Sequence, residues 1–194
     1  YNYSFNLPYR LERNKNFILA AVKQNGDALK RADPTLRGDR EVVLAAVKQD
    51  GNALRFALYD MNEDKAVVLA AVRQSGDALQ WASSDLQKDK NVVKAAVKQN
   101  GLALQFTSDE QMRGRHHREL VMIAVEQNGL ALQYASEQLR DDRDVVLAAV
   151  KSAALLSEGD PIDSGAMRFA SERLWGDREL LRLHLRLKYQ LETD

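Results

Sequence analysis

A short apolar motif recurs along the chain at a nearly constant interval, and this period constrains the fold more than any other feature. Five segments align on one glycine: AAVKQNGDAL (20–29), AAVKQDGNAL (45–54), AAVRQSGDAL (70–79), AAVKQNGLAL (95–104) and IAVEQNGLAL (123–132). The aligned glycines are 25, 25, 25 and 28 residues apart. Such a period is typical of repeat proteins, in which short units stack and create a core only together.

Each repeat carries signals for two short helices. An aspartate before the apolar run is a favoured N-cap, and it recurs as Asp39, Asp64, Asp89, Asp142 and Asp177. The run 41–49 is then predicted to be a helix, ended by Gly51 as a left-handed C-cap, and 52–57 a shorter second helix. The apolar run is also compatible with a buried strand, but the aspartate, the glycine and the alanine pair favour a helix.

The predicted fold class is therefore all-α, an α-solenoid of about six tandem two-helix repeats of ~25 residues. We expect one repeat domain over residues 1–194, with a partial N-terminal unit (1–13), six repeats (14–176) and a C-terminal capping helix (177–194). Because the chain begins with Tyr1, we also expect a fragment of a longer protein. The insertion at 152–165 is predicted to lengthen one helix and then form a loop, and 180–191 is predicted to be helical.

One face of the first helix in each repeat is predicted to bind a partner. On a helical wheel, the valines and alanines of 42–47 cover most of the circumference, whereas Glu41, Leu44 and Lys48 share the remaining sector. Equivalents of Leu44 form one column, Leu19, Leu44, Leu69, Lys94, Met122, Leu147 and Arg182, and all but the last are predicted partner-binding residues. Equivalents of Lys48 form a second column beside it, Lys23, Lys48, Arg73, Lys98, Glu126 and Lys151, of which the first four are predicted partner-binding residues. The alternative is a solvated face whose leucines are partly covered by lysine stems.

Two further columns receive structural roles. Aromatic residues dominate one position of the second helix (Arg31, Phe56, Trp81, Phe106, Tyr134 and Phe169), and we expect them to pack between repeats. A glutamine precedes the glycine in five repeats: Gln24, Gln49, Gln74, Gln99 and Gln127. On the wheel it falls within the buried arc, so we expect it to bond turn backbone in the next repeat.

The segment RGRHHRE (113–119) interrupts the period and is the densest positive cluster. Its candidate anion-binding residues are Arg113, Arg115, His116, His117 and Arg118, which together suit a phosphate or an acidic peptide. His117 takes the position of the cap aspartate. The alternative is a solvated basic loop with a lost cap. Adjacent histidines on a helix diverge by about 100°, so a metal site is not predicted.

Composition and the absence of known motifs argue against several classes of function. Lysine plus arginine equals aspartate plus glutamate, 28 against 28, which argues against a general nucleic-acid coat. There is no cysteine, and no apolar run approaches the ~18 residues of a membrane span. No phosphate-binding glycine loop, HExxH or GxSxG motif occurs. We therefore expect no enzyme activity, no cofactor and no metal, and a monomer rather than an oligomer.

The unit D-R/K-x-V-V-L-A-A-V-K-Q-N-G-x-A-L resembles a repeat family catalogued as a domain of unknown function, from Asn14 to about Leu185. Members of that family include proteins that intracellular bacterial pathogens secrete into host cells, and proteins of protists and algae. The resemblance implies tandem helical repeats and carries over no functional residue.

From these observations we expect a non-enzymatic scaffold for protein–protein interaction, a module of a bacterial effector that is made in the cytoplasm and acts on a host partner. Two alternatives remain open. One is a scaffold attached to a catalytic domain outside this fragment. The other is a nucleic-acid or phosphate binder that uses the basic column and the 113–118 cluster.

Overall fold

The computed structural model describes residues 9–107, 117–156 and 165–189, and within these ranges all regular secondary structure is helical. The chain forms two compact units, Tyr1–Ala95 and Ala96–Asp194. This architecture is the predicted one, an all-α solenoid of tandem repeats.

Long α-helices recur once per repeat. Among the described residues, the first unit contains α1 (Lys15–Gln24), α2 (Arg40–Gln49), α3 (Lys65–Gln74) and the start of α4 (Lys90–Gln99). The second unit contains the rest of α4 and then α5 (His117–Gln127), α6 (Arg143–Leu156) and α7 (Arg178–Tyr189). The helical interpretation of the valine-rich run is therefore confirmed. Helix α6 continues to Leu156 as predicted, whereas the loop predicted after it lies outside the described residues.

The second helix of each repeat is a 3-10 helix rather than an α-helix. These helices are Gly26–Arg31, Gly51–Phe56 and Gly76–Trp81 in the first unit, and Gly101–Phe106, Gly129–Tyr134 and Ala166–Phe169 in the second. A 3-10 helix has three residues per turn, so Gly51 and Leu54 lie on one edge, and both are buried. A spacing of three between the apolar residues thus suits the tighter helix.

A short α-helical turn completes most repeats, where the sequence predicted only a turn. These turns are Tyr9–Glu12, Pro34–Arg37 and Tyr59–Glu63 in the first unit, and Glu137–Arg140 and Glu172–Trp175 in the second. Their ends are tied to neighbouring repeats by backbone hydrogen bonds. The amide of Asp33 donates to the carbonyl of Glu12 at 2.9 Å, and that of Leu58 donates to Arg37 at 3.0 Å.

The core lies along the long helices. In α2 the side chains of Val42, Val43, Ala46 and Val47 are fully buried. Helix α2 packs against α1 and α3 and against two 3-10 helices, its own and that of the preceding repeat. The wheel prediction is confirmed for these four side chains, because a helix enclosed on several sides needs apolar residues around most of its circumference.

The predicted aspartate caps are present. One oxygen of Asp39 accepts hydrogen bonds from the amides of Glu41 (3.0 Å) and Val42 (3.2 Å). Asp64, Asp89, Asp142 and Asp177 make the same pair of bonds at the starts of α3, α4, α6 and α7. The unpaired amides at these helix ends are thereby satisfied.

The predicted role of the glycine is wrong. The C-cap of α2 is Asp50, in an extended conformation (φ −141°, ψ 112°), and Gly51 begins the 3-10 helix without a left-handed φ. Glycine is required for close packing instead. A Cβ at Gly26 would lie 2.8 Å from the carbonyl oxygen of Ala46 in the following repeat, and a Cβ at Gly51 would collide with the equivalent oxygen of Ala71.

Candidate functional site

The candidate site is the face of α1, α2 and α3 that carries the predicted columns. On each helix a leucine lies four residues before a cation, so the two side chains share one face, about one turn apart. The pairs are Leu19 and Lys23, Leu44 and Lys48, and Leu69 and Arg73. We call this set, all within the first compact unit, the leucine–lysine face.

Burial separates the leucine–lysine face from the core. Val43 and Ala46 of α2 are fully buried, whereas Leu44, between them in sequence, is half-buried and Lys48 is exposed. The same pattern holds on α1 and α3, where Leu19 and Leu69 are half-buried and Lys23 and Arg73 are exposed. The leucines therefore retain apolar surface that no neighbouring repeat in the described part of the chain covers.

A groove lies on this face between α1 and α2. Its volume is about 530 Å³. It is lined by Leu19, Lys23, Glu41, Leu44, Ala45, Lys48 and Gln49. Four of these are predicted partner-binding residues. Ala45, which the wheel placed with the buried side chains, is half-buried and forms part of the groove.

The cations of this face take no part in the ion pairs that join the described repeats. Within the described part of the chain, Lys23, Lys48 and Arg73 have no acidic partner. The carboxylate of Glu41 lies in the groove and shares the ammonium of Lys15 with Asp39, at 2.9 and 2.7 Å, so the three cations of the face outnumber the one carboxylate that lines the groove. The groove therefore combines apolar surface with uncompensated positive charge, an arrangement suited to a partner that is apolar and acidic.

Other cations, by contrast, link consecutive repeats. The basic residue directly after each cap position reaches the second oxygen of the next cap aspartate. The distances are 2.7 Å for Lys15–Asp39, 2.6 Å for Arg40–Asp64 and for Lys65–Asp89, and 2.8 Å for Arg118–Asp142 and for Arg143–Asp177. Sequence reasoning missed this network, although the recurring D-R/K pair was its signal.

These ion pairs lower the pKa values of the cap aspartates Asp39 and Asp64. The hydrogen bond from Lys15 holds the pKa of Asp39 below its ordinary value, and the hydrogen bond from Arg40 does the same for the pKa of Asp64. The cap amides contribute further in both cases. Each carboxylate is thus fully occupied by a helix end and a cation, so its position in the structure requires no catalytic explanation.

The remaining predicted members of the two columns lie on later helices. Lys94 is half-buried and Lys98 is exposed, both on α4. In the second unit, Met122 on α5 and Leu147 on α6 are half-buried, as the leucines of the first unit are. The apolar column is thus interrupted at Lys94.

The structure describes two of the five predicted anion-binding residues, His117 and Arg118. Arg113, Arg115 and His116 lie outside the described residues. His117 is only 5% exposed, and burial lowers its pKa, so its imidazole is not an exposed cation. Arg118 forms ion pairs with Asp142 (2.8 Å) and Asp144 (3.2 Å), and the hydrogen bond to Asp142 raises its pKa. Both residues therefore serve the packing of the repeats in this structure.

Two structural expectations need correction. The aromatic column is not core: Trp81 is 37% exposed, Phe56 and Phe106 are half-buried, and the guanidinium of Arg55 lies 4.5 Å from the ring centre of Phe56. The glutamines are exposed rather than buried, and they bond the preceding repeat rather than the next. Helical wheels miss both results because the contacts extend beyond the helix that carries the side chain.

The described ranges contain neither a candidate metal site nor a membrane-spanning helix. No group of three or more histidine, aspartate or glutamate side chains is arranged to hold a metal ion there. No helix in the described part of the chain is long and apolar enough to cross a membrane.

A family model described as "Domain of unknown function (DUF4116)" matches residues 14–62, 64–113 and 117–156. Each of the first two matches spans two of the 25-residue repeats. The three matches together cover more than half of the sequence. The comparison with curated proteins finds no match, and neither does the comparison with solved structures.

Proposed function

We propose that this chain, which belongs to the DUF4116 family, is a non-enzymatic helical-repeat scaffold that binds another protein. The family description names no activity, so the support comes from the residues of this chain. The cap aspartates support the non-enzymatic part, since hydrogen bonds and ion pairs within the fold account for them.

One observation carries the proposal: half-buried leucines and unpaired cations share one grooved face. The D-R/K cations pair across repeats, whereas Lys23, Lys48 and Arg73 find no acidic partner among the described residues. Apolar surface in a continuous row is typical of contact with another macromolecule. The leucine–lysine face is therefore the proposed binding surface.

The test is affinity capture with the double variant Leu44→Asp/Leu69→Asp. Both leucines are half-buried, so the variant is expected to stay folded, which thermal unfolding checks. We expect it to lose the protein that the wild-type chain captures from a host-cell lysate. The matched control is Leu58→Asp, because Leu58 is 37% exposed and lies outside the groove. A double variant that retains the captured protein contradicts the proposal.

We also propose a biological setting, which rests on the family resemblance alone. The scaffold is a module of a bacterial effector that is synthesised in the cytoplasm and delivered into a host cell. A fusion of the complete protein to a translocation reporter, expressed in the organism that encodes it, tests this. Reporter signal confined to the bacterium contradicts it.

The unpaired cations also support a second function, the binding of nucleic acid or phosphate groups. Such binding is driven by charge and weakens steeply as salt rises. Unlike the proposed protein binding, the binding of nucleic acid or phosphate is not expected to depend on Leu44 and Leu69. Binding that survives Leu44→Asp/Leu69→Asp but fails in Lys48→Glu supports this second function.

A further inference from the structure

We infer that the occupant of the leucine–lysine face is an acidic amphipathic α-helix of the partner protein, about 15 residues long, lying across α1, α2 and α3. The inference rests on the proposed function and deepens it, because it specifies the secondary structure, length and charge of the bound segment. Three features of the face lead to it: the spacing of the leucines, the distance from leucine to cation, and the balance of charge.

The spacing of the leucines determines the interval between the apolar residues of the bound segment. Leu19, Leu44 and Leu69 belong to consecutive packed helices, and packed helices lie about 8–10 Å apart. Seven residues of an α-helix rise about 10.5 Å. A helix with an apolar residue at every seventh position therefore places one side chain near each leucine. The column changes to Lys94 on α4, so the apolar contact covers three repeats, or about 15 residues of partner helix.

The distance from leucine to cation determines how wide the bound segment must be to contact both rows. Lys48 follows Leu44 by four residues, which corresponds to about 6 Å along the axis of α2. An α-helix is about 10 Å wide with its side chains, so one bound helix covers the row of leucines and the row of cations together. An extended segment fits less well. About three of its residues span the distance between neighbouring leucines, and side chains three residues apart in a strand point to opposite faces.

The balance of charge selects acidic flanks. Lys23, Lys48 and Arg73 lack acidic partners in the described part of the chain, and they outnumber the single carboxylate that lines the groove, that of Glu41, which shares Lys15 with Asp39. Carboxylates beside the apolar stripe of the bound helix meet these three cations. A basic helix would bring like charges together, which opposes association.

Fluorescence anisotropy of the full chain with designed peptides tests the inference. The probe is a helix-stapled peptide of about 15 residues with leucine at every seventh position and flanking glutamates. Its controls are the same peptide with lysine for each glutamate, and one with the leucines scattered around the helix. We expect the acidic peptide to bind at least about tenfold more tightly than either control, and more weakly as salt rises. Equal binding of the acidic and basic peptides overturns the inference.

Variants of the face locate the binding. Lys48→Glu is expected to weaken binding of the acidic peptide about tenfold and to strengthen binding of the basic peptide, a reversal that unfolding does not produce. Lys30→Glu is the matched control, since Lys30 is exposed and lies on the 3-10 helix outside the groove. Equal effects of the two substitutions overturn the inference.

Crosslinking separates failure of this inference from failure of the proposed function. A photoreactive residue in place of Ala45, which lines the groove, is used with the captured protein. Crosslinks to an acidic helical segment support the inference. Crosslinks to a basic or extended segment, with capture still lost in Leu44→Asp/Leu69→Asp, overturn the inference and leave the proposed function intact. Capture that persists in that double variant overturns both.

Discussion

The side-chain oxygen of Gln74 accepts a hydrogen bond, 2.5 Å long, from the backbone amide of Gly51 in the preceding repeat. Its amide nitrogen donates to the carbonyl of Gln49 at 3.2 Å. Gln49 makes the same two bonds to Gly26 and to Gln24, at 2.6 and 3.4 Å. One side chain thus connects the end of a long helix to the start of a 3-10 helix, where the buried amide needs an acceptor.

Gln74→Ala is expected to destabilise the chain by about 1–3 kcal/mol, because it leaves the buried amide of Gly51 without its partner. Urea unfolding followed by circular dichroism measures the effect. Gln24→Ala is the matched control, since the side chain of Gln24 has no hydrogen-bond partner within the described residues. Equal losses in the two variants would show that the bond to glycine is unimportant.

Gly51→Ala is expected to cost about 1–3 kcal/mol of stability through overpacking. The new Cβ would collide with the carbonyl of Ala71 and lie 3.0 Å from the side-chain oxygen of Gln74, and a backbone carbonyl cannot move away cheaply. At Gly38 the nearest atom is the end of the flexible Leu58 side chain, 3.2 Å away, so Gly38→Ala is expected to stay within about 0.5 kcal/mol of wild type. Thermal unfolding of both variants checks the contrast.

Two substitutions at Asp64 separate the helix cap from the ion pair. Asp64→Ala removes both and is expected to cost about 1–2 kcal/mol. Asp64→Asn keeps a cap oxygen but loses the charge beside Arg40, so we expect a loss of only about 0.5 kcal/mol, because the arginine is largely exposed. Chemical denaturation measures both, and identical losses would mean that the cap contributes nothing.

The described aspartates with lowered pKa values predict acid sensitivity. Asp33 shows the largest effect, since hydrogen bonds from Arg13 and then Thr35 lower its pKa to about 2. A carboxyl with a depressed pKa in the folded state stabilises the fold above its ordinary pKa and loses that contribution as the pH falls. We therefore expect stability to decline from about pH 4 towards pH 2. Unfolding across this range should show a smaller decline in Asp33→Asn, and an unchanged decline would contradict the assignment.

His117 predicts a second pH dependence, at higher pH. It is buried, its Nε2 has no hydrogen-bond partner in the described part of the chain, and burial lowers its pKa. Unfolding exposes the imidazole, which then binds a proton below about pH 6.5, so stability is expected to fall as the pH drops from about 7 to 5. His117→Gln should flatten this slope in thermal unfolding. The same slope in both proteins would exclude His117 as its source.

The repeat pattern was sufficient for the architecture because each signal is local. An aspartate caps the helix that directly follows it, and the valines and alanines of one helix indicate how many of its sides are buried. Leu44 was separated from the core by the same helical geometry. The pairing of Arg40 with Asp64 was not predicted, because it joins residues 24 positions apart whose meeting depends on how the repeats stack.

The sequence by itself determined the period, the long helices, their aspartate caps and the sector that holds Leu44 and Lys48, since these follow from spacing within one helix. Only the tertiary structure decided which residues make the contacts between repeats. It showed that Gly51 leaves room for the carbonyl of Ala71, that the side chain of Gln74 bonds to the preceding repeat, and that His117 is buried. These contacts depend on distances between separate helices, which a one-dimensional period does not specify.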